Sequence, residues 1–463
     1  MTEKVQKHSV ETYAASKRDS FEALLKEFVE IPSVSMDPAH QADVLRMSEA
    51  SVHTLNAMGF KTRVLRTPGN PIVFAEAKVS SKAPTVLVYN HMDVQPGGDP
   101  GEWKTDPFTF VSKGGTYWGR GTTDDKGPAL AAMFAARHAL DAGVEVNIKF
   151  LWELEEEIGS PNFEAGIKAA QKHLQADAIV VSDTIWISRD KPACPAGLRG
   201  LQGFILTLET GTTDEHSGTT GGAARNPIGE LCQLISQMYD ARTGKVKIPG
   251  FYDDVVKPTR KELQEFKDSG FSVEKFKQDH GFKSLRVEDE LEIMKRIWAM
   301  PTLEVHGIVG GYQGPGVKTV VPPRAEAKIS MRLVPNQKSR KIIAALKRFV
   351  KEKNPDVRVL PESTLNPYKG VSEGPLAEMI RRSVQFGFGK EPVFVREGGS
   401  IGAVPTMAKV LKAPVLFLGL SLPEHGYHAP NENFDWGQAY GGIKAFSKFF
   451  EEMETIKRRR RKT

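Results

Sequence analysis

At 463 residues the chain is longer than one ordinary core supports, which predicts two domains. Hydrophobic residues at 40% and charged residues at 26% match a soluble globular protein, and no apolar run approaches the roughly 20 residues needed to span a bilayer. The net charge of +6 points first to an anionic partner, yet Lys457, Arg458, Arg459, Arg460, Arg461 and Lys462 supply all of it. Such a block reads as a solvated tail, so neither nucleic acid nor membrane is expected as a partner, with an anionic surface kept as the minor alternative. The opening stretch MTEKVQKHSVETYAASKRDS lacks the apolar core of a signal peptide, which makes the cytoplasm the expected compartment. Cys194 and Cys232 are too few for a disulfide framework or a thiolate metal site and are expected to serve packing.

In chain order, Phe21, Leu24, Leu25, Phe28 and Val29 recur at helical spacing and stop at Ile31-Pro32, where the residue before proline is biased away from helix. A second helix is predicted from about 41 to 58, ended by Gly59. Thr85 opens a short apolar run, as expected of a strand buried on both faces. After Gly127-Pro128 the stretch ALAAMFAARHALDAG reads as a helix closed by Gly143. Alternating strand and helix to about residue 188 predicts an α/β domain, a mostly parallel sheet flanked by helices. Near Gly203 the character changes to alternating strands (FILTLET, LEVHGIVGG, AEAKISMRLVP) and a charged segment at 251–294. Residues 203–369 are therefore read as an inserted α+β domain, and 1–202 with 370–463 as a discontinuous catalytic domain.

Four β-like runs end near residues that bind metals: VLVYN before His91 and Asp93, IKFLW before Glu153, Glu155, Glu156 and Glu157, AIVVS before Asp183, and VLFLGL upstream of His428. Ligands in open α/β sheets bind beyond the carboxyl ends of strands, so these distant positions can meet in one site. Asp93, two residues from His91 on an extended segment, can hold the imidazole while its other nitrogen meets a metal. Asp124 and Asp125, in GRGTTDDKGP, read either as a helix N-cap or as a bridge between two divalent ions. The glutamate cluster reads either as a solvated acidic loop or as one metal ligand beside a general base. His425 and His428 in PEHGYHAPNEN offer nitrogen. This mixture of imidazole and carboxylate suits zinc or manganese rather than iron–sulfur or copper chemistry, and two metals sharing a bridge are suited to amide hydrolysis.

At these residues the sequence resembles the dinuclear zinc metallopeptidases that include cytosolic non-specific dipeptidase, carnosinase, glutamate carboxypeptidase, aminoacylase and succinyl-diaminopimelate desuccinylase. NHMDVQP, GRGTTDDKGP, EEEIGS, VSD, GLRG, HSGTTGG, PTLEVHGIVGGYQGPGVKTVVP, MRLVP, REGGSI and YHAPNEN appear in family order, from about residue 31 to 434, in the form of the dipeptidase branch. The resemblance implies a zinc-exopeptidase-like catalytic domain with an inserted lid and dimerisation domain. It implies two divalent ions, zinc first and manganese as the alternative: one on His91, Asp124 and Asp183, the other on Asp124, Glu157 and His428, with Asp124 as the bridge and the Asp124–Asp125 peptide cis. It further implies Glu156 as general base, Asp93 as the residue orienting His91, and His216 reaching into a partner subunit's site to stabilise the oxyanion. Arg332 is implied as the clamp on the substrate's carboxylate, and Thr319 and Ser400 as further substrate contacts. Glu155 and Ile158 make EEEIGS more acidic and bulkier than the family's usual small-residue version, which leaves the base assignment open by one position. The expected activity is that of a homodimeric metal-dependent dipeptidase acting on a small peptide with a free C-terminal carboxylate. A deacylase or carboxypeptidase of the same family is the alternative, and a catalytically silent binding protein on this fold is the reading from another class.

Overall fold

A computed structural model of the chain describes residues 9–456; the basic tail read above, residues 457–462, lies outside the described residues. The largest sheet has six strands in the order Lys61–Leu65, Ile72–Ala77, Asn147–Glu153, Thr85–His91, Ala178–Val181 and Val415–Phe417. Its last four strands run parallel, while Ile72–Ala77 pairs antiparallel with both of its neighbours. Parallel pairing sets His91 opposite Glu153, Tyr89 opposite Val181, and Val181 opposite Phe417. Four carboxyl ends therefore open on one edge of the sheet.

The central strands Thr85–His91 and Ala178–Val181 are buried along their whole length because both faces are covered. Val86, Val88, Ala178 and Val180 point to one core, shared with the helices Gly127–Asp141 and Trp436–Glu454. Leu87, Tyr89, Ile179 and Val181 point to the other, against Phe163, Ile167 and Met407. Gly127–Asp141 is nearly all small or apolar and buries most of its length, so it runs through the core instead of lying on it. Its closest approach explains Gly127: a Cβ there would stand 2.2 Å from the Thr122 carbonyl oxygen.

A second sheet, ordered Thr302–Gly310, Arg324–Leu333, Gly200–Glu209 and Arg358–Leu365, is antiparallel throughout. The helices Pro227–Met238 and Ser339–Lys353 pack their apolar residues on one face of it, making a separate core. The charged segment at 251–294 contains three short helices, Arg260–Asp268, Val273–Asp279 and Glu290–Met294. Phe266, Met294 and Trp298 from this stretch pack with Ala193, Val393 and Val395, so it leans on a small three-stranded sheet made of Ala193–Leu198, Tyr368–Lys369 and Val393–Glu397. The buried pair Arg396–Glu262, at 2.5 Å, fastens the same contact. Among the described residues no helix is long and apolar enough to cross a membrane.

Candidate metal centre

Side chains from three strand ends, one turn and one loop converge at the carboxyl edge of the six-stranded sheet. His91 closes its strand with its imidazole buried; Nε2 lies 2.9 Å from Asp124 Oδ1 and 3.9 Å from Asp183 Oδ2. Its Nδ1 is 3.0 Å from the Asp93 carbonyl oxygen and 3.6 Å from the Asp93 carboxylate. On the other side of Asp124, His428 Nε2 is 3.0 Å from Asp124 Oδ2 and 3.3 Å from Glu157 Oε2. Two groups, His91 with Asp124 and Asp183, and Asp124 with Glu157 and His428, each bring their ligand atoms within 4.8 Å of one another, and Asp124 belongs to both. The Asp124–Asp125 peptide is cis. Asp125 faces away and accepts from Asn90 Nδ2 at 2.7 Å.

The four glutamates separate by partner. Tyr89 donates its hydroxyl to Glu153 at 2.6 Å, and burial pushes the Glu153 carboxyl up to about 8. Glu155 accepts from the backbone of Asn70 at 2.8 Å and from Asn162, which spends its carboxylate on the turn. Glu156 and Glu157 alone of the four line the cavity described below. Their backbone N–H groups donate to the two Asp93 oxygens at 3.1 and 3.0 Å, and Ser35 donates a third bond there. Asp93 thus fixes both the His91 ring and the start of the Glu156 turn.

Charge in this cluster is unbalanced. Burial, then the Asp183 charge, lifts the Glu156 pKa well above the ordinary carboxyl range, and burial with Asp124 lifts Glu157 to about 7. Burial also raises Asp183. For Asp124 burial works upward too, but the adjoining His428 and His91 rings overrule it and hold the carboxyl well below its usual range. The Asp124 and Glu157 carboxylates raise His428 to about 11; in His91, burial is outweighed by Asp124 and Asp93, and its pKa rises as well. Protons here do the neutralising that a cation would do. Asp124 Oδ2 is buried and, among the described residues, has the His428 ring 3.0 Å away as its neighbour without a well-aligned hydrogen bond, as suits an oxygen shared with a ligand. Two imidazoles and three carboxylates with one shared oxygen pair fit a pair of divalent metal ions.

Residues outside the sequence reading hold this arrangement. Glu432 is fully buried; its Oε1 accepts from the backbone N–H of Gly121, Thr123 and Asp124 at 3.0, 3.0 and 3.1 Å, and Arg120 donates to Oε2 at 2.8 Å. Tyr427 donates to Asp183 at 2.7 Å and Gln95 to Glu157 at 2.7 Å. His425 has no place among the ligands: its Nδ1 accepts from Leu422 N and its Nε2 meets Asp435 Oδ2, both at 3.1 Å. That histidine pins the loop that turns His428 back.

Asp124, Glu156, Glu157, Asp183 and His428 line a cavity of about 740 Å³, with Arg332 and Ser400 on its far wall. Arg332 Nη1 donates to Ser400 Oγ at 3.1 Å, and Glu397, lifted to about 7 by burial and by Asp183, lines the same space. His216 lies in a separate two-stranded ribbon, Glu215–His216 with Val320–Val321, and Thr319 stands just before the second strand, where its carbonyl accepts from the Ser217 N–H at 3.0 Å. Both are exposed, and neither lines this cavity.

Residues 87–452 match the Peptidase family M20/M25/M40. The chain belongs to this family. It is 31% identical to the Beta-Ala-His dipeptidase of Homo sapiens over 467 residues, covering 96% of this chain and 92% of that protein. It is 32% identical to the Cys-Gly metallodipeptidase dug1 of Schizosaccharomyces pombe over 465 residues, covering 95% and 97%. Among solved structures, an M20 family metallo-carboxypeptidase from Sulfolobus solfataricus superposes with a TM-score of 0.87 at 32% identity, over 93% of this chain and 98% of that one.

Proposed function

We propose that this M20 peptidase is a metal-dependent dipeptidase that hydrolyses the amide bond of dipeptides carrying a free C-terminal carboxylate. The supporting observation is a single cavity with a shared-carboxylate metal site on one wall and the Arg332 guanidinium on another. Two divalent ions, zinc before manganese, held by His91, Asp124 and Asp183 and by Asp124, Glu157 and His428, would polarise the scissile carbonyl and lower the pKa of water. Glu156 faces the cavity beside them and takes the proton of the attacking water, then delivers it to the departing amine nitrogen. Asp93 orients His91 and the Glu156 turn together. Arg332, steadied by Ser400, pairs with the substrate carboxylate. The bonds of Glu155 to Asn70 and Asn162 favour Glu156 over it as base.

His216 and Thr319 serve the site of a second copy in a homodimer. Their exposure outside their own cavity supports this, as does the open edge strand Thr302–Gly310, where Ile308 and Val309 stand exposed. The two cysteines are free and Cys232 is exposed, which suits a reducing cytoplasm. The likeness to a metallo-carboxypeptidase favours a second reading, removal of C-terminal residues from longer peptides. A panel separates the readings: a dipeptide, a tetrapeptide, an N-acetyl amino acid and succinyl-diaminopimelate, each given to metal-free protein reloaded with zinc or manganese. Cleavage of the dipeptide ahead of the rest is expected. Acyl release without dipeptide cleavage contradicts the proposal, and faster trimming of the tetrapeptide favours the carboxypeptidase.

A further inference from the structure

Arg332 forms part of two cavities. Behind the wall it shows to the metal ligands lies a second space of about 400 Å³, lined also by Arg199, Arg286, Arg296 and His306, with Glu304 as the acidic residue of its lining. Arg199 and Arg332 are largely buried, yet among the described residues neither has a carboxylate within 4.0 Å. Among the described residues the Arg199 guanidinium donates to the carbonyls of Gly398 at 3.1 Å and Arg296 at 3.4 Å, and the Arg332 guanidinium to Ser400. Arg296 is half engaged by Glu292, whereas Arg286 is exposed and forms no ion pair among the described residues. Burial, then the neighbouring Arg332 charge, brings the Arg199 pKa down to about 10 against the opposing pull of Glu304 and Glu397, neither of which pairs with it directly. Phe276, Ile293 and Ile297 give the remaining wall an apolar surface.

We propose that this chamber is a carboxylate subsite for the side chain of the substrate's C-terminal residue, and that it selects dipeptides ending in glutamate or aspartate. The inference rests on Arg332 holding the α-carboxylate, as in the function proposed above. With that group on Arg332, the side chain of the same residue has the adjoining chamber to enter. Its methylenes meet the apolar wall and its carboxylate meets Arg199 and Arg286. A substrate carboxylate there makes the direct ion pair that neither Arg199 nor Arg332 has among the described residues. A lysine side chain would add a cation to a chamber that already holds four arginines.

Hydrolysis of Ala-Glu, Ala-Asp, Ala-Ala and Ala-Lys by the zinc-loaded enzyme tests this, beside calorimetric binding of glutarate and of inorganic phosphate to the same protein. The expected result is a kcat/KM for Ala-Glu at least about tenfold above that for Ala-Ala, with Ala-Lys lowest. This ratio should collapse towards one in Arg199→Gln, fall in Arg286→Gln and survive in Arg199→Lys. Arg286, being exposed, keeps the test open if Arg199→Gln fails to fold. Equal kcat/KM across the panel, or an unchanged ratio in both glutamine variants, overturns the proposal. Phosphate binding as tightly as glutarate without any acidic preference in turnover would mark a free-anion site and overturn it too. Should no dipeptide be cleaved, the proposed activity fails, and glutarate binding decides the chamber separately: binding lost in Arg286→Gln supports it, and no binding overturns it.

Discussion

Glu156 and Glu157 are neighbours in sequence with different surroundings. Glu157 lies against His428 and Gln95, while Glu156 faces the cavity without a hydrogen-bonding side chain among the described residues. Glu156→Gln should reduce turnover by about 10²-fold or more while the protein keeps its metal, measured by steady-state rates beside metal analysis. Glu157→Gln should lose metal as well as activity. A second expectation concerns protons. His428 is raised to about 11, His91 is raised, and Glu157 stands near 7, so these groups hold protons around neutral pH that an incoming cation must displace. Metal binding should therefore release protons, and affinity should weaken as pH falls through about 7; calorimetry in buffers of different ionisation enthalpy reads both. Uptake without proton release would contradict the assignment of these ligands.

At the scale of elements, the turn 119–124 is held by a residue more than 300 positions away. Glu432 satisfies three of its backbone N–H groups and the buried Arg120. Glu432→Ala leaves that guanidinium buried without its carboxylate, and the expected loss is about 3–5 kcal/mol of stability by urea denaturation, with reduced metal retention. The same elements show what the sequence disclosed. Thr85–His91, Gln41–Ala57 and Gly127–Asp141 follow their apolar patterns and their glycine or proline boundaries closely. His91 and Glu153 at strand ends were legible because parallel buried strands announce themselves as short unbroken apolar runs. Glu432 and Tyr427 were not: one caps a distant turn and the other props Asp183, and neither stands at a strand end or in a charged cluster. His425 and His428 looked alike in PEHGYHAPNEN, and only the partners of each ring tell the structural histidine from the ligand. The packing of 260–299 on the small sheet was equally hidden, because the few apolar residues that carry it are scattered through a charged segment.

At the scale of the whole molecule, the six-stranded sheet and the second sheet both contribute to the cavity of about 740 Å³, the first through the candidate metal ligands at its carboxyl edge and the second through Arg332. His216 stands exposed and outside that cavity. If His216 works in a second copy, mixing His216→Ala with Glu156→Ala protein should restore part of the activity that each lacks alone. One site of the mixed dimer then combines an intact Glu156 with an intact partner histidine. Subunit exchange is followed with differently tagged chains, and mixed dimers without recovered activity would show that His216 acts elsewhere. The central claim is that two metal ions on one shared carboxylate drive dipeptide hydrolysis. Its most direct test is turnover of Ala-Ala by metal-free protein titrated with zinc: activity should be absent at the start and reach its plateau at about two equivalents per chain, whereas full activity without metal, or none at any loading, would contradict it.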